Sequence, residues 1–180
     1  MAALAIGLAV GTLMAPVASG ADGLTMEARS LLDGHARIGT WMAIEVHIRN
    51  DGPAVAGELR ISGGAQGRTR FATPVDQPTQ SDKTYRLYVQ PPAFGREIEI
   101  DFVDGATTIA RTKATFAVHD QTQLVIGVVA ERPGEIVGSL DLLPNQNNVA
   151  PLTVALDPED LPDRVEAWGT LDRLIWQDMD

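Results

Sequence analysis

The chain of 180 residues contains no cysteine. That excludes disulfides, thiolate metal sites and a cysteine nucleophile at once, so any fold must be held by its core alone. Aromatic residues make up only 5% of the chain, and stacking platforms for sugars are correspondingly scarce. Basic residues are few as well: 14 Lys and Arg stand against 24 Asp and Glu, a formal charge of −10. The deficit is uneven. Residues 22–121 hold 13 acidic and 11 basic residues, whereas residues 122–180 hold 11 acidic and 3 basic. Neither part offers the basic stripe that a phosphate backbone needs, which argues against a nucleic-acid partner. The acidic end reads as a solvated surface rather than a cation site.

Motifs with a mechanism are missing too. There is no Gly-x-Ser-x-Gly elbow for a nucleophilic serine and no glycine-rich phosphate loop. The three histidines, His35, His47 and His119, are far apart in the sequence, and no pair has helical metal-ligand spacing. His47 falls on the polar face of a strand and the other two lie near turns, so all three read as surface residues. The sequence thus assigns no catalytic, cofactor-binding or metal-binding residue, and the expected reading is non-enzymatic.

What is present begins with an apolar run, Ala2 to Met14, followed by small residues from Ala15 to Ala21. Residues 1–21 read as a secretory signal peptide cleaved near Ser19 to Ala21; the run is short for a membrane span. No Lys or Arg precedes it, so the basic start of such a signal is expected upstream of Met1.

From Leu24 the hydrophobic period becomes two. Ile44-Glu45-Val46-His47-Ile48-Arg49 alternates strictly, and Asn50-Asp51-Gly52-Pro53 makes a turn. Val55 to Ile61 directs Leu59 and Ile61 inward; Lys83 to Val89 does the same with Tyr85, Leu87 and Val89. Glu97 to Val103 and Thr107 to Val118 continue the pattern, with Met26 to Leu31 and Arg68 to Thr73 as weaker strands. About seven strands with Gly, Pro, Asn and Asp between them predict an immunoglobulin-like β-sandwich over residues 22–121, with a small barrel as the alternative. Glu97, Glu99 and Asp101 share one strand face, but calcium needs oxygens converging from a loop, so cross-strand Arg or Lys partners are expected instead.

Beyond Gln123 the pattern changes again. Leu124 to Ala130 is continuously apolar, as in a strand buried on both faces. A helix from Pro133 to about Leu143, a strand at Pro151 to Leu156, a turn at Pro158 to Pro162 and a strand at Leu171 to Trp176 follow. Residues 122–180 therefore read as the start of a truncated, Rossmann-like α/β domain. Ligands of open α/β sheets bind beyond the carboxyl ends of the strands, which singles out Glu131 and Asp178 as pocket-lining positions. The plainer reading of both is ordinary strand-end carboxylates.

Three segments carry a family resemblance: LTMEARSLLDGHARIGTWMAIEVHIRNDGP (Leu24 to Pro53), KTYRLYVQP (Lys83 to Pro91) and LDPEDLPDRVEAWGTLDRLIWQD (Leu156 to Asp178). They resemble large bacterial envelope proteins in which a β-sandwich precedes a domain similar to the class I glutamine amidotransferase fold, commonly with a membrane helix downstream. Met42-Ala43 stands where those proteins usually have Pro-Val. The resemblance implies an exported, extracytoplasmic and membrane-associated segment, anchored only by a helix beyond this chain. Its sandwich would serve as a spacer or bind a protein partner in the envelope. The alternatives are the N-terminal part of an amidotransferase-like enzyme and a glycan-binding module. The resemblance carries no functional residue across, and no cofactor is implied.

Overall fold

The structure is a computed structural model and describes residues 18–19, 23–62, 70–140 and 151–177. In chain order the strands are β1 (Ala18–Ser19), β2 (Leu24–Ser30), β3 (His35–Arg37), β4 (Met42–Asn50), β5 (Val55–Ser62), β6 (Arg70–Gln77) and β7 (Ser81–Val89). They continue with β8 (Glu97–Asp104), β9 (Thr107–Thr115), β10 (Ala117–His119) and β11 (Val125–Val129), then helix α1 (Pro133–Leu140), β12 (Leu152–Ala155) and β13 (Arg173–Trp176). The protein is mainly β.

Two antiparallel sheets, β1-β2-β4-β7 and β6-β5-β8-β9, form the main body. The period-two pattern explains why they meet. Met26, Ile44, Val46, Ile48, Leu87 and Val89 of the first sheet share one apolar cluster with Leu59, Ile61, Val75, Ile98, Ile100 and Phe102 of the second. Alternate residues of a strand point to opposite faces, so each strand gives this core one side chain in two. The other face of β8 carries the expected cross-strand ion pairs: Glu97 with Lys113 at 2.8 Å, and Asp101 with Arg111 at 2.6 Å. At one corner the buried Asn50 directs its amide nitrogen at the carbonyls of Pro53, Gln77 and Pro78 and accepts from the Gly52 amide, which joins the β4–β5 turn to the β6–β7 connection between the two sheets.

The register of β8 on β9 shifts between Phe102 and Val103, and both residues are buried. This bulge dictates a residue on the neighbouring strand. A Cβ on Gly57 would lie 2.2 Å from the Val103 carbonyl oxygen and 3.0 Å from the Phe102 ring. Neither backbone nor a packed ring can yield cheaply, so Gly57→Ala is expected to lower stability by about 1–3 kcal/mol, as overpacking does. Urea denaturation reads this, and an unchanged midpoint would contradict the close approach.

Several sequence expectations shift in detail. The strand expected over Thr107 to Val118 is broken at Phe116, whose side chain joins the core and whose amide donates to the Arg96 carbonyl at 2.9 Å. The released end, β10, pairs in parallel with β3 as a separate two-stranded ribbon. Ala18–Ser19, placed by the sequence in the cleavage region, pairs with Thr25 and Met26 of β2. The rest of the expected signal peptide lies outside the described residues.

The C-terminal part is a three-stranded, wholly parallel sheet of order β12-β11-β13. All five residues of the central β11 are buried, which accounts for its unbroken apolar run. Helix α1 ends at Leu140 within the described residues and packs on β11 and β12. The turn near Pro158 is a single 3-10 turn, Pro158–Asp160, and a second 3-10 helix, Val165–Thr170, precedes β13.

Candidate functional site

The feature that most distinguishes this molecule is the seam between the two-sheet body and the parallel sheet. It is built first from β4, whose outward side chains should all be wet. His47 and Arg49 are, but Ala43 is buried and Glu45 half-buried. The 3-10 helix Val165–Thr170 covers that end of the sheet, with Ala167 packed against Ala43, Leu31 and the half-buried Tyr88. Beside it Leu32, in a 3-10 turn after β2, enters the second cluster with Val125, Val129, Val154 and Leu156 of the parallel sheet. Both Leu32 and Asp33 have positive φ, 55° and 52°. This sparsely populated backbone geometry turns Leu32 out of the first sheet and into the second core.

Charge complementarity frames this apolar contact. Asp160 and Asp163 of the acidic C-terminal part face Arg29 and Arg86 of the body. Glu45 bridges the two arginines, at 2.9 Å from Arg29 and 3.6 Å from Arg86, and the Tyr88 hydroxyl donates to Asp163. The Arg164 guanidinium lies over the Tyr88 ring, 4.7 Å from its centroid. The acidic segment is therefore not simply a solvated surface: part of its charge is matched against the body.

The tightest junction is Arg37 on β3. Its guanidinium donates to both carboxylate oxygens of Asp172, at 3.1 and 2.5 Å, and to the Gln123 carbonyl at 2.8 Å. Asp172 also accepts from the Val125 amide at 2.8 Å. The guanidinium and the amide hold the Asp172 carboxyl below the usual carboxylate range, against the opposing effect of its partial burial. Gln123 lies two residues before β11 and Asp172 immediately before β13, so Arg37 grips the parallel strands at their amino ends.

His35 and His119 complete the seam. The sequence reads both as surface residues near turns, far apart along the chain. The β3·β10 register brings them together, with His35 Nδ1 and His119 Nε2 2.8 Å apart and both rings partly buried. Burial lowers the pKa of each. The neighbouring His119 adds to this for His35, and Arg37 adds to it for His119, while Asp33 and Asp120 oppose it. The contact depends on two three-residue strands 84 positions apart, for which the sequence offers no periodic signal. His47 is exposed and paired with Asp82, on the polar face where the sequence put it.

Glu131 lies exposed between β11 and α1, at the carboxyl end of the parallel sheet and apart from the Arg37 junction. Asp178 lies outside the described residues. Among the described residues no group of three or more His, Asp or Glu converges as metal ligands would, and no helix is long and apolar enough to cross a membrane. A small recess is lined by Trp41, Tyr88, Arg164 and Glu166. There the Arg164 guanidinium covers the Tyr88 ring, and Trp41 stands edge-on to Phe71 at 86°.

The profile of a domain of unknown function, DUF8726, matches residues 23–117. The chain belongs to that family. No curated protein matches the sequence. The DUF8726 region spans both four-stranded sheets except β1 and stops at the first residue of β10. Its edge thus falls inside the seam: Leu31, Leu32, Arg37, Ala43 and Tyr88 lie within the DUF8726 region, and Asp163, Ala167 and Asp172 lie beyond it.

Proposed function

We propose that this chain is a non-enzymatic, extracytoplasmic segment of a membrane-associated bacterial protein. In this reading its DUF8726 part is an immunoglobulin-like sandwich that serves as a rigid mount and protein-interaction module. The parallel sheet is the opening of a Rossmann-like domain resembling the class I glutamine amidotransferase fold. The observation that carries the reading is the direction of the grip. Arg37 holds the parallel strands at the amino ends of β11 and β13, whereas ligands of such sheets bind at the carboxyl ends. Of the three carboxyl ends, that of β12 leads into the docked turn at Asp160, and those of β11 and β13 face away from the Arg37 junction. Apart from the turn after β12, the body supports the sheet from the side opposite to the one where an α/β domain does its binding. The central position of β11, flanked by its two successors, fits the first strands of an open α/β sheet.

The test is a pair of reporter fusions at Gln177 in bacteria, one active only outside the cytoplasm and one active only within it. The first is expected to report and the second to remain silent. The reverse pattern would remove the export reading and the envelope partner with it. In a parallel assay the purified protein is expected to release no ammonia from glutamine above a buffer control; release would favour the enzyme alternative.

A further inference from the structure

The seam contains a device that its structural role does not require. A neutral imidazole has one donor and one acceptor nitrogen, so the His35–His119 bond uses an N–H from one ring and the lone pair of the other. Two adjacent imidazoles can also suggest a metal chelate, but the geometry points elsewhere. The ring centroids are 5.0 Å apart and the nitrogens 2.8 Å, a difference of about two ring radii. The nitrogens therefore point at each other, whereas ligating nitrogens would converge on a third point.

A single added proton leaves the N–H···N bond intact. A second places two N–H groups head to head, with two positive charges beside the Arg37 cation. The groups facing the pair are Asp33 before β3, Arg37 on β3 and Asp120 after β10; Arg96, from the β7–β8 loop, lines the same groove as Asp33 and Ala117. Asp120 is engaged locally by the Thr122 amide and hydroxyl, and Asp172 neutralises Arg37. The ribbon joined by the pair is only three residues long on each side, extended by the Ile38 amide donating to the His119 carbonyl at 3.2 Å. Arg37 is part of that ribbon, so anything that opens β3 from β10 also displaces the guanidinium from Asp172 and Gln123.

We propose that the His35–His119 bond is an acid-operated latch: when both rings are protonated, the β3·β10 ribbon opens and the parallel sheet loses its Arg37 attachment to the body. The direction of the pH dependence follows from the environment of the rings. Both histidines titrate below the ordinary 6.5 when folded. Their contribution to stability is therefore complete above 6.5 and is lost as pH falls through the folded values. Asp172 and Asp120, held below 3.8, act in a separate window: their contribution is present above 3.8 and fails only in stronger acid.

Amide hydrogen exchange, corrected for intrinsic rates, distinguishes the two. From about pH 7 to pH 5 the protection of Ile38 and the β10 amides is expected to fall about tenfold, as for one pH unit of differential proton binding. His119→Gln keeps a donor and an acceptor but cannot take the second proton, so only the burial of His35 still acts and the fall over that range is expected to be clearly smaller. Level protection in the unmodified protein, or an equal fall in His119→Gln, would overturn the proposal. Ring-proton NMR titration of the unmodified chain gives a second readout that needs no variant. Both His35 and His119 are expected to titrate below 6.5, and titration of either at or above 6.5 would overturn it.

Discussion

Replacing Phe102 with alanine is expected to cost about 3–5 kcal/mol, as for a fully buried aromatic ring. Phe102 is the largest side chain with no exposure in the described core. It sits beside the β8 bulge, with its ring against the backbone of Gly57. Relaxation into the cavity is restricted, because Gly57 has no side chain to move in and the surrounding Leu59, Ile61 and Ile100 lie on paired strands. With no cysteine there is no crosslink to limit the loss. Since domains are typically stable by only about 5–15 kcal/mol, the variant should be close to unfolding at ambient temperature. Urea denaturation is the measurement, with a lower midpoint and an unchanged slope. A loss below about 1 kcal/mol would mean that the two sheets do not share the core described.

Arg37→Met is expected to produce the second-largest effect, about 3 kcal/mol. Removing one partner of a buried, hydrogen-bonded pair costs about 3–5 kcal/mol, and the lower end applies because the Asp172 side chain keeps 30% exposure. Methionine retains much of the apolar stem, so the loss reports the guanidinium. It should be regional: hydrogen exchange should quicken in β11 and β13 and remain nearly unchanged in β5, β6 and β8. The pH dependence offers an independent check. The unmodified protein loses the Asp172 contribution as pH falls below 3.8, because the folded carboxyl titrates lower than the unfolded one. In Arg37→Met that step should shrink. Uniform quickening across both sheets would indicate that Arg37 stabilises the body rather than the junction.

The strands of the body were legible because each buries one face, and the period of two is written into stretches such as Ile44 to Arg49. The continuous run at Leu124 to Ala130 announced a strand covered on both sides for the same reason. The seam was harder to read. Its apolar contacts depend on small or isolated residues, Ala43, Ala167 and Leu32, which fit several local roles equally well. Two signals were nevertheless present. Met42-Ala43-Ile44 breaks the alternation of β4 where the 3-10 helix covers it. The charge asymmetry between the two parts foreshadowed the pairing of Asp160, Asp163 and Asp172 with Arg29, Arg86 and Arg37. The histidine pair had no comparable signal. It follows from a parallel register between short strands, which depends on Phe116 leaving β9 for the core.

The central claim is that the parallel sheet is mounted on the DUF8726 body in one fixed orientation. The absence of cysteine makes it directly measurable, because two introduced cysteines would be the only attachment sites for spin labels. Thr108 on β9 and Ser139 on α1 are both exposed and lie on opposite sides of the seam. Pulsed electron resonance on Thr108→Cys/Ser139→Cys at neutral pH is expected to give one narrow distance distribution, which broadens when Arg37→Met is added. A broad or multiple distribution in the protein with Arg37 intact would contradict the account.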